Sequence, residues 1–271
     1  MSILAAIGLG LLIGTVLGGL GGAGAILAVP ALVYLLGQSA QDGTTSSLVI
    51  VGLTALVGAA DHARSVPVHW RTGIAFGVCG IVAAFAGTAL NRRIEEHVLL
   101  LGFSAVMILA AVGMLIQAHR ESPGHHDQST SAVGSAVPPE QRRGRHRVVV
   151  IVKIVLAGLA VGFLTGFFGI GGGFVIVPAL VLVLGLPLST AVGTSLVIIA
   201  INSAASLAAR AGQAHFDWAV IIPFTIAAVA GSFAGKSIAD RLPHCTLHRA
   251  FAVLLFAVAS YIATTSALTL R

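Results

Sequence analysis

Two long stretches of this chain carry no charged side chain, and they limit what it can fold into. The first covers residues 1–41 and the second runs from Ile154 to Ala209. Each is longer than the roughly 20 apolar residues that cross a bilayer once. Of all residues, 57% are hydrophobic and 9% are charged, whereas soluble domains have about 25% charged residues. The sequence therefore argues against a soluble enzyme and predicts an all-α, polytopic integral membrane protein.

The sequence of the first half aligns with that of the second half when its residue numbers are shifted by a constant amount. At this offset Gly14 aligns with Gly162 and Pro30 with Pro178. The match holds without a gap from Gly14 to Phe103, and the rare Trp70 falls on Trp218. Chance similarity between apolar segments would not extend to tryptophan in this way. Because membrane transporters are often built from internal repeats, we predict a helical bundle of two homologous repeats.

A polar and basic segment separates the halves. It contains proline, serine and histidine residues and ends with a cluster of arginines, Arg142, Arg143, Arg145 and Arg147. We predict a first transmembrane repeat at 1–118, a flexible loop at 119–147 and a second repeat at 148–271.

The net charge of +6 comes from residues in loops and at the ends of apolar runs. Such charges set membrane orientation and place this loop in the cytoplasm, so we predict no nucleic-acid partner.

The number of crossings depends on the first apolar run of each repeat. One count gives four spans in each half, with the first span broken. The other gives five in each half and inverted repeats, and the positive-inside rule does not choose between them. The segment from Ala25 to Leu36 is shorter than the roughly 17 residues of a straight span. We therefore favour about eight spans, with a broken or re-entrant glycine-rich element opening each repeat.

A glycine-rich cluster interrupts the first run of each repeat, at residues 18–24 and again at 169–173, and Pro30 or Pro178 follows. Non-helical backbone persists in a membrane only where it is buried in protein or lines a cavity. The helix that restarts after each break presents free N–H groups and a positive dipole end, which bind anions. Two such ends meeting at the repeat interface would form a substrate site; the alternative role of these glycines is helix packing.

Hydroxyl residues follow each break at the start of the next span. They can donate to an oxyanion without bringing a full charge into the membrane, although they also cap helices or bond back to them. Asn202, which aligns with Thr54, lies in an apolar run and needs a partner there; interhelical hydrogen bonding is its alternative role. The predicted substrate-binding residues are Gly21, Gly22, Gly24, Ser46, Ser47, Gly169, Gly171, Gly172, Gly173, Thr194, Ser195 and Asn202.

The sequence offers no pattern for catalysis, a metal or a cofactor. Gly19, Gly21 and Gly24 match the spacing of a dinucleotide fingerprint, but that motif requires a preceding strand, and a membrane-length helix precedes it here. The histidines of the central loop are too irregularly spaced for a metal site. No acid lies deep in a span, and Lys236 lies near a span end, where it can extend towards the interface. We therefore expect neither enzyme activity nor a relay of buried carboxylates.

The paired glycine and proline pattern resembles the sulfite exporter TauE/SafE family. The resemblance covers nearly the whole chain except the central loop, and four motifs carry it: GGAG at 21–24 with Val29-Pro30, GIGGG at 169–173 with Val177-Pro178, TSL at 194–196, and the Trp70/Trp218 position. It implies a secondary transporter of the bacterial inner membrane for a small anion such as sulfite, a sulfonate or sulfoacetate. The sequence departs from the pattern where Ala23 replaces the glycine at 171 and Ser46 replaces the threonine at 194, which would make the half-sites unequal.

The leading hypothesis is therefore an anion carrier whose site is formed by the two glycine breaks. Its expected partners are the small anion, the lipid bilayer, a coupling ion (H⁺ or Na⁺) and further copies of the chain in a homo-oligomer. Two alternatives stay open: a non-transporting membrane scaffold that docks a partner through the central loop, and a passive anion channel.

Overall fold

The computed structural model describes residues 3–38, 40–65, 68–91, 96–120, 139–168, 173–210 and 216–268. These residues form α-helices joined by short connections, and no strand occurs among them. The helices are α1 (Ile3–Leu20), α2 (Ala23–Pro30), α3 (Ala40–Ser65), α4 (Trp70–Asn91), α5 (Glu96–Arg120), α6 (Pro139–Phe168), α7 (Gly173–Leu182), α8 (Leu188–Arg210), α9 (Trp218–Ala239) and α10 (His244–Leu268), with a π-helical turn at Ala31–Leu35 after α2. The all-α prediction is confirmed.

The length and surface of the helices fit a multi-pass membrane protein. Among the described residues, four helices are long and apolar enough to cross a bilayer, with spans at Asp42–Ser65, Trp70–Gly87, Leu188–Ala208 and Trp218–Ala239. Large apolar side chains such as Val82, Phe85 and Leu109 are exposed on the outside of the bundle. Extended apolar surface of this kind needs lipid or another protein against it.

A seam of small residues joins α1 to α9. A Cβ atom added at Gly14 would overlap the backbone carbonyl of Ala228, so the two helices touch backbone to backbone. Small residues permit this close approach in membrane helices. Successive contacts follow the same order along both helices, which therefore run parallel: Gly10 with Phe224, Gly14 with Ala228 and Gly18 with Ser232.

A second seam joins α6 to α4. Gly162 lies against the backbone of Gly80 in the same way that Gly14 lies against Ala228. The order of contacts is again parallel: Gly158 with Phe76, Gly162 with Gly80 and Gly166 with Ala84. At the offset of the sequence match, every residue in this seam aligns with its counterpart in the first seam. Helix α1 of the first half therefore packs on α9 of the second half in the same way that α6 of the second half packs on α4 of the first half.

Helices α3 and α8 form the centre of the bundle. In their spans 56% of residues are buried, compared with 28% in α4 and 39% in α9. Gly52 of α3 contacts Ser203, whereas Gly58, further along α3, contacts Leu196. The order of contacts is reversed, so α3 and α8 run antiparallel.

The boundaries of helices in the first half align with those of helices in the second half at the offset of the sequence match. Helices α4 and α5 have the same lengths as α9 and α10, and both ends of each pair are aligned by that offset. The first residues of α3 and α8 are aligned in the same way, as are the last residues of α1 and α6.

The helices extend into the predicted central loop. Helix α5 continues to Arg120 and α6 begins at Pro139, so residues 119–120 and 139–147 are helical and not loop. Proline suits the start of a helix because its missing N–H would have no partner there, and the Glu, Gln and Arg residues that follow are good helix formers. The remainder of the predicted loop lies outside the described residues.

Candidate functional site

The first glycine cluster forms a tight turn between α1 and α2. Gly21 has a φ angle of +64°, a left-handed conformation that glycine adopts without steric cost. After the turn, a Cβ atom at Gly24 would lie 2.6 Å from the backbone nitrogen of Leu17. In a continuous helix, two residues with the sequence separation of Leu17 and Gly24 would be about 10 Å apart. Helix α2 therefore folds back against the end of α1.

This turn lies against the start of α7. A Cβ atom at Gly22 would overlap the carbonyl group of Gly173, and one at Gly173 would lie 2.9 Å from the carbonyl oxygen of Gly22. Gly21 faces α8, since a Cβ atom there would lie 2.7 Å from Ser195 Oγ. The structure thus brings together predicted site residues from both halves. The remaining predicted glycines of the second cluster lie outside the described residues: Gly169, Gly171 and Gly172.

Two of the predicted hydroxyls bond back to their own helices. Ser47 Oγ donates to the carbonyl of Thr44, and Ser195 Oγ donates to the carbonyl of Val192, each at 2.7 Å. A serine hydroxyl has one proton to donate, so both protons are engaged with the backbone. These two serines thus bond back to their own helices, which is the alternative role that the sequence left open. In this conformation neither hydroxyl can donate to an anion.

The neighbouring hydroxyls behave differently. Thr194 Oγ1 accepts a 3.4 Å hydrogen bond from the backbone N–H of His69, which leaves its proton available for a ligand. Its counterpart Ser46 is fully buried, and Ser46 Oγ has no hydrogen-bond partner within the described residues. Among the four predicted hydroxyls, Ser46 and Thr194 are therefore the two that donate no hydrogen bond within the described part of the chain.

Two further polar groups lie unpaired deeper in the central helices. Within the described part of the chain, Thr54 Oγ1 and Asn202 Oδ1 are buried without a hydrogen-bond partner. An unpaired buried polar group costs about 1–3 kcal/mol, and these two occupy equivalent positions in α3 and α8. Thr54 was not among the predicted site residues, although its alignment with Asn202 was the signal that could have identified it.

We expect Ser46→Ala and Thr54→Val to weaken anion binding without lowering stability. Each change removes a buried hydroxyl that makes no protein hydrogen bond, so the folded state loses no such bond. Ser47→Ala is the matched control, because it removes a hydroxyl that bonds to the backbone. Isothermal titration and thermal unfolding in detergent measure the two effects. A fall in melting temperature without a change in anion affinity would assign Ser46 and Thr54 to folding alone.

Lys236 does not extend to an interface as the sequence suggested. Its residue is 6% exposed, and its Nζ lies 3.0 Å from Asp61 Oδ2. The same ammonium group donates to the carbonyl of Asp61 at 2.7 Å and to Ser65 Oγ at 2.9 Å. Position in the sequence could not reveal this pairing, because Asp61 and Lys236 lie on helices from different halves.

The comparisons with known proteins agree on a transporter family. The family model described as "Sulfite exporter TauE/SafE" matches residues 6–262. A Xylella fastidiosa protein named "Probable membrane transporter protein" is 31% identical over 266 residues, which is 96% of this chain and 95% of that protein. The Bacillus subtilis protein named "Probable membrane transporter protein YunE" is 26% identical over 267 residues, 95% of this chain and 96% of its own length. No solved structure matches the chain significantly.

The family match, the relatives of matching length and the apolar helical bundle lead to one assignment. The chain is a multi-pass membrane protein, and it belongs to the TauE/SafE sulfite exporter family of membrane transporters.

Proposed function

We propose that this protein is a secondary transporter that moves a small oxyanion, such as sulfite, a sulfonate or sulfoacetate, across the bacterial inner membrane. The observation that carries the proposal is the contact between Gly22 and Gly173, beside Ser195. It brings the turn before α2 against the start of α7, next to the α8 segment in which Thr194 lies. With no Lys or Arg in residues 1–41 or 154–209, these segments would bind an anion through backbone N–H groups and hydroxyls.

We further propose that residues 1–118 and 148–271 are inverted repeats. The antiparallel packing of α3 and α8 supports this, because parallel repeats would place equivalent helices in the same direction. Inversion needs an odd number of membrane elements in each half, and α1–α5 and α6–α10 supply five each. This favours the second of the two counts, in which both parts of the broken first run cross the membrane, with the central loop in the cytoplasm. Inverted repeats allow a central site to open alternately to either side.

Counterflow in proteoliposomes tests the transport function. Vesicles loaded with unlabelled sulfoacetate should take up labelled sulfoacetate from outside faster than empty vesicles, because a carrier exchanges its bound substrate across the membrane. Sulfite, a simple sulfonate and a simple carboxylate as competitors define the substrate class. Uptake that saturates only weakly and shows no counterflow would instead identify a passive channel.

Replacing residues 123–137 with a Gly/Ser linker of equal length separates a carrier from a scaffold. The replaced segment lies between α5 and α6, outside the helices that form the candidate site. We expect counterflow within about twofold of the unmodified protein, since a flexible linker of this length still spans the same gap. Measured loss of counterflow, at equal amounts of protein in the vesicles, would contradict this prediction.

A further inference from the structure

The Asp61–Lys236 ion pair lies beside the candidate site. His62, the neighbour of Asp61, packs on Gly193, where a Cβ atom would lie 3.3 Å from the Cβ of His62. Gly193 directly precedes Thr194, the hydroxyl with an available proton. One turn earlier in α3, Gly58 approaches Leu196, the residue after Ser195. The ion pair and the hydroxyls of α8 therefore occupy adjacent positions in the bundle.

The end of α1 reaches the same place. Gly18 packs against the backbone of Ser232, and a Cβ atom at Gly19 would lie 3.2 Å from the carbonyl oxygen of Gly235, the residue before Lys236. Gly21 begins the turn only two residues later. The last turn of α1, which leads into this glycine turn, therefore packs against α9 at the residue before Lys236.

The charged groups at this place come from α3 and α9. Asp61, Lys236 and Asp240 are the charged side chains that act on His62, and His62 Nδ1 hydrogen-bonds to the carbonyl of Gly58 at 3.0 Å. Helix α1 contains no charged residue, and α8 contains none before Arg210 at its far end. Asp240 is exposed, so Asp61 is the carboxylate held against Lys236.

This pair exists in one half only. At the offset that relates the two halves, Asp61 aligns with Ala209 and Lys236 aligns with Thr88. The glycine seams and the back-bonded serines, which support helix packing, occur in both halves. A pair needed only for the same packing would be expected twice, whereas a single copy fits a step that occurs once in each transport cycle.

We propose that Asp61 and Lys236 form a proton-coupling site, an inference that rests on the transport function proposed above. The Lys236 ammonium donates to three oxygens and has three N–H groups, so an anion can pair with it only if Asp61 withdraws. Asp61 withdraws by binding one proton at Oδ2, taken from the side on which the anion enters. Asp61 loses one negative charge as a charged group of the anion takes its place beside Lys236, and the reverse occurs on release.

This exchange couples the two ions because unmatched charges are costly inside the bundle. An anion beside an ionised Asp61 would place two negative charges near one ammonium group. A protonated Asp61 without an anion would leave Lys236 unpaired. Each loaded site therefore carries one anion and one proton together.

The test compares Asp61→Asn with Asp240→Asn in proteoliposomes with an alkaline interior and the membrane potential clamped by potassium and valinomycin. Vesicles with unmodified protein or Asp240→Asn should concentrate labelled sulfoacetate about tenfold for each unit of imposed pH difference. Asp61→Asn should abolish this accumulation but still exchange labelled for unlabelled sulfoacetate. Equal accumulation by Asp61→Asn and Asp240→Asn would overturn the inference, as would uptake that follows a sodium gradient in place of the pH difference.

A measurement on the unmodified protein covers the case in which Asp61→Asn does not fold. Adding sulfoacetate to the purified protein in weakly buffered detergent should remove about one proton from solution for each anion bound, as linkage requires. A pH-sensitive dye reports the change, and anion binding without proton uptake would overturn the coupling site. A complete lack of counterflow by the unmodified protein would instead overturn the transport function itself.

Discussion

Gly22→Ala should reduce anion transport by about tenfold or more while the protein still inserts in the membrane. The added Cβ atom would overlap the carbonyl group of Gly173. Because both sides of this contact are backbone, no side-chain rotation can relieve it, and the turn before α2 must move away from the start of α7. Overpacking of this kind costs about 1–3 kcal/mol, and about 1.4 kcal/mol already corresponds to a tenfold change in an equilibrium. Initial rates of counterflow in proteoliposomes measure the effect.

Gly8→Ala is the matched control for this change. Gly8 lies in α1, the helix that leads into the same turn, but a Cβ atom there would have no neighbouring atom within 4 Å. We expect this variant to transport at the unmodified rate, with a helix slightly favoured by alanine. If Gly22→Ala and Gly8→Ala transported equally well at equal protein amounts, the contact between Gly22 and Gly173 would have no part in transport.

Much of the helical framework could be predicted from the long apolar runs of the sequence. The two aligned tryptophans, Trp70 and Trp218, are the first residues of α4 and α9. The turn at Gly21 was one of two roles that the sequence left open for this glycine cluster, the other being helix packing. The central loop was predicted less well: proline and arginine content suggested flexible chain, but the same residues suit the first turns of α6.

The candidate site could be predicted only in part, because hydrogen bonding depends on the folded geometry. Ser46 and Ser47 are adjacent and chemically identical, yet only Ser47 bonds back to its own helix. The partners of Lys236 lie 171 and 175 residues away, a distance at which sequence offers no signal without a known fold. Reasoning from one segment at a time finds a break in a helix but not which side chains from other helices surround it.

Gly14→Ala and Gly162→Ala should each destabilise the protein by about 1–3 kcal/mol, and by similar amounts. The added Cβ atoms would overlap the backbones of Ala228 and Gly80, which occupy equivalent places in the two parallel seams. Thermal unfolding in detergent, with Gly8→Ala as the unaffected reference, measures the loss.

Ala228→Gly should not rescue Gly14→Ala, because the overlap involves the carbonyl group of Ala228 and not its methyl group. Rescue would show that side chains, and not the two backbones, set the distance between α1 and α9. Loss of stability in only one of the two seams would contradict their equivalence and, with it, the proposed repeat.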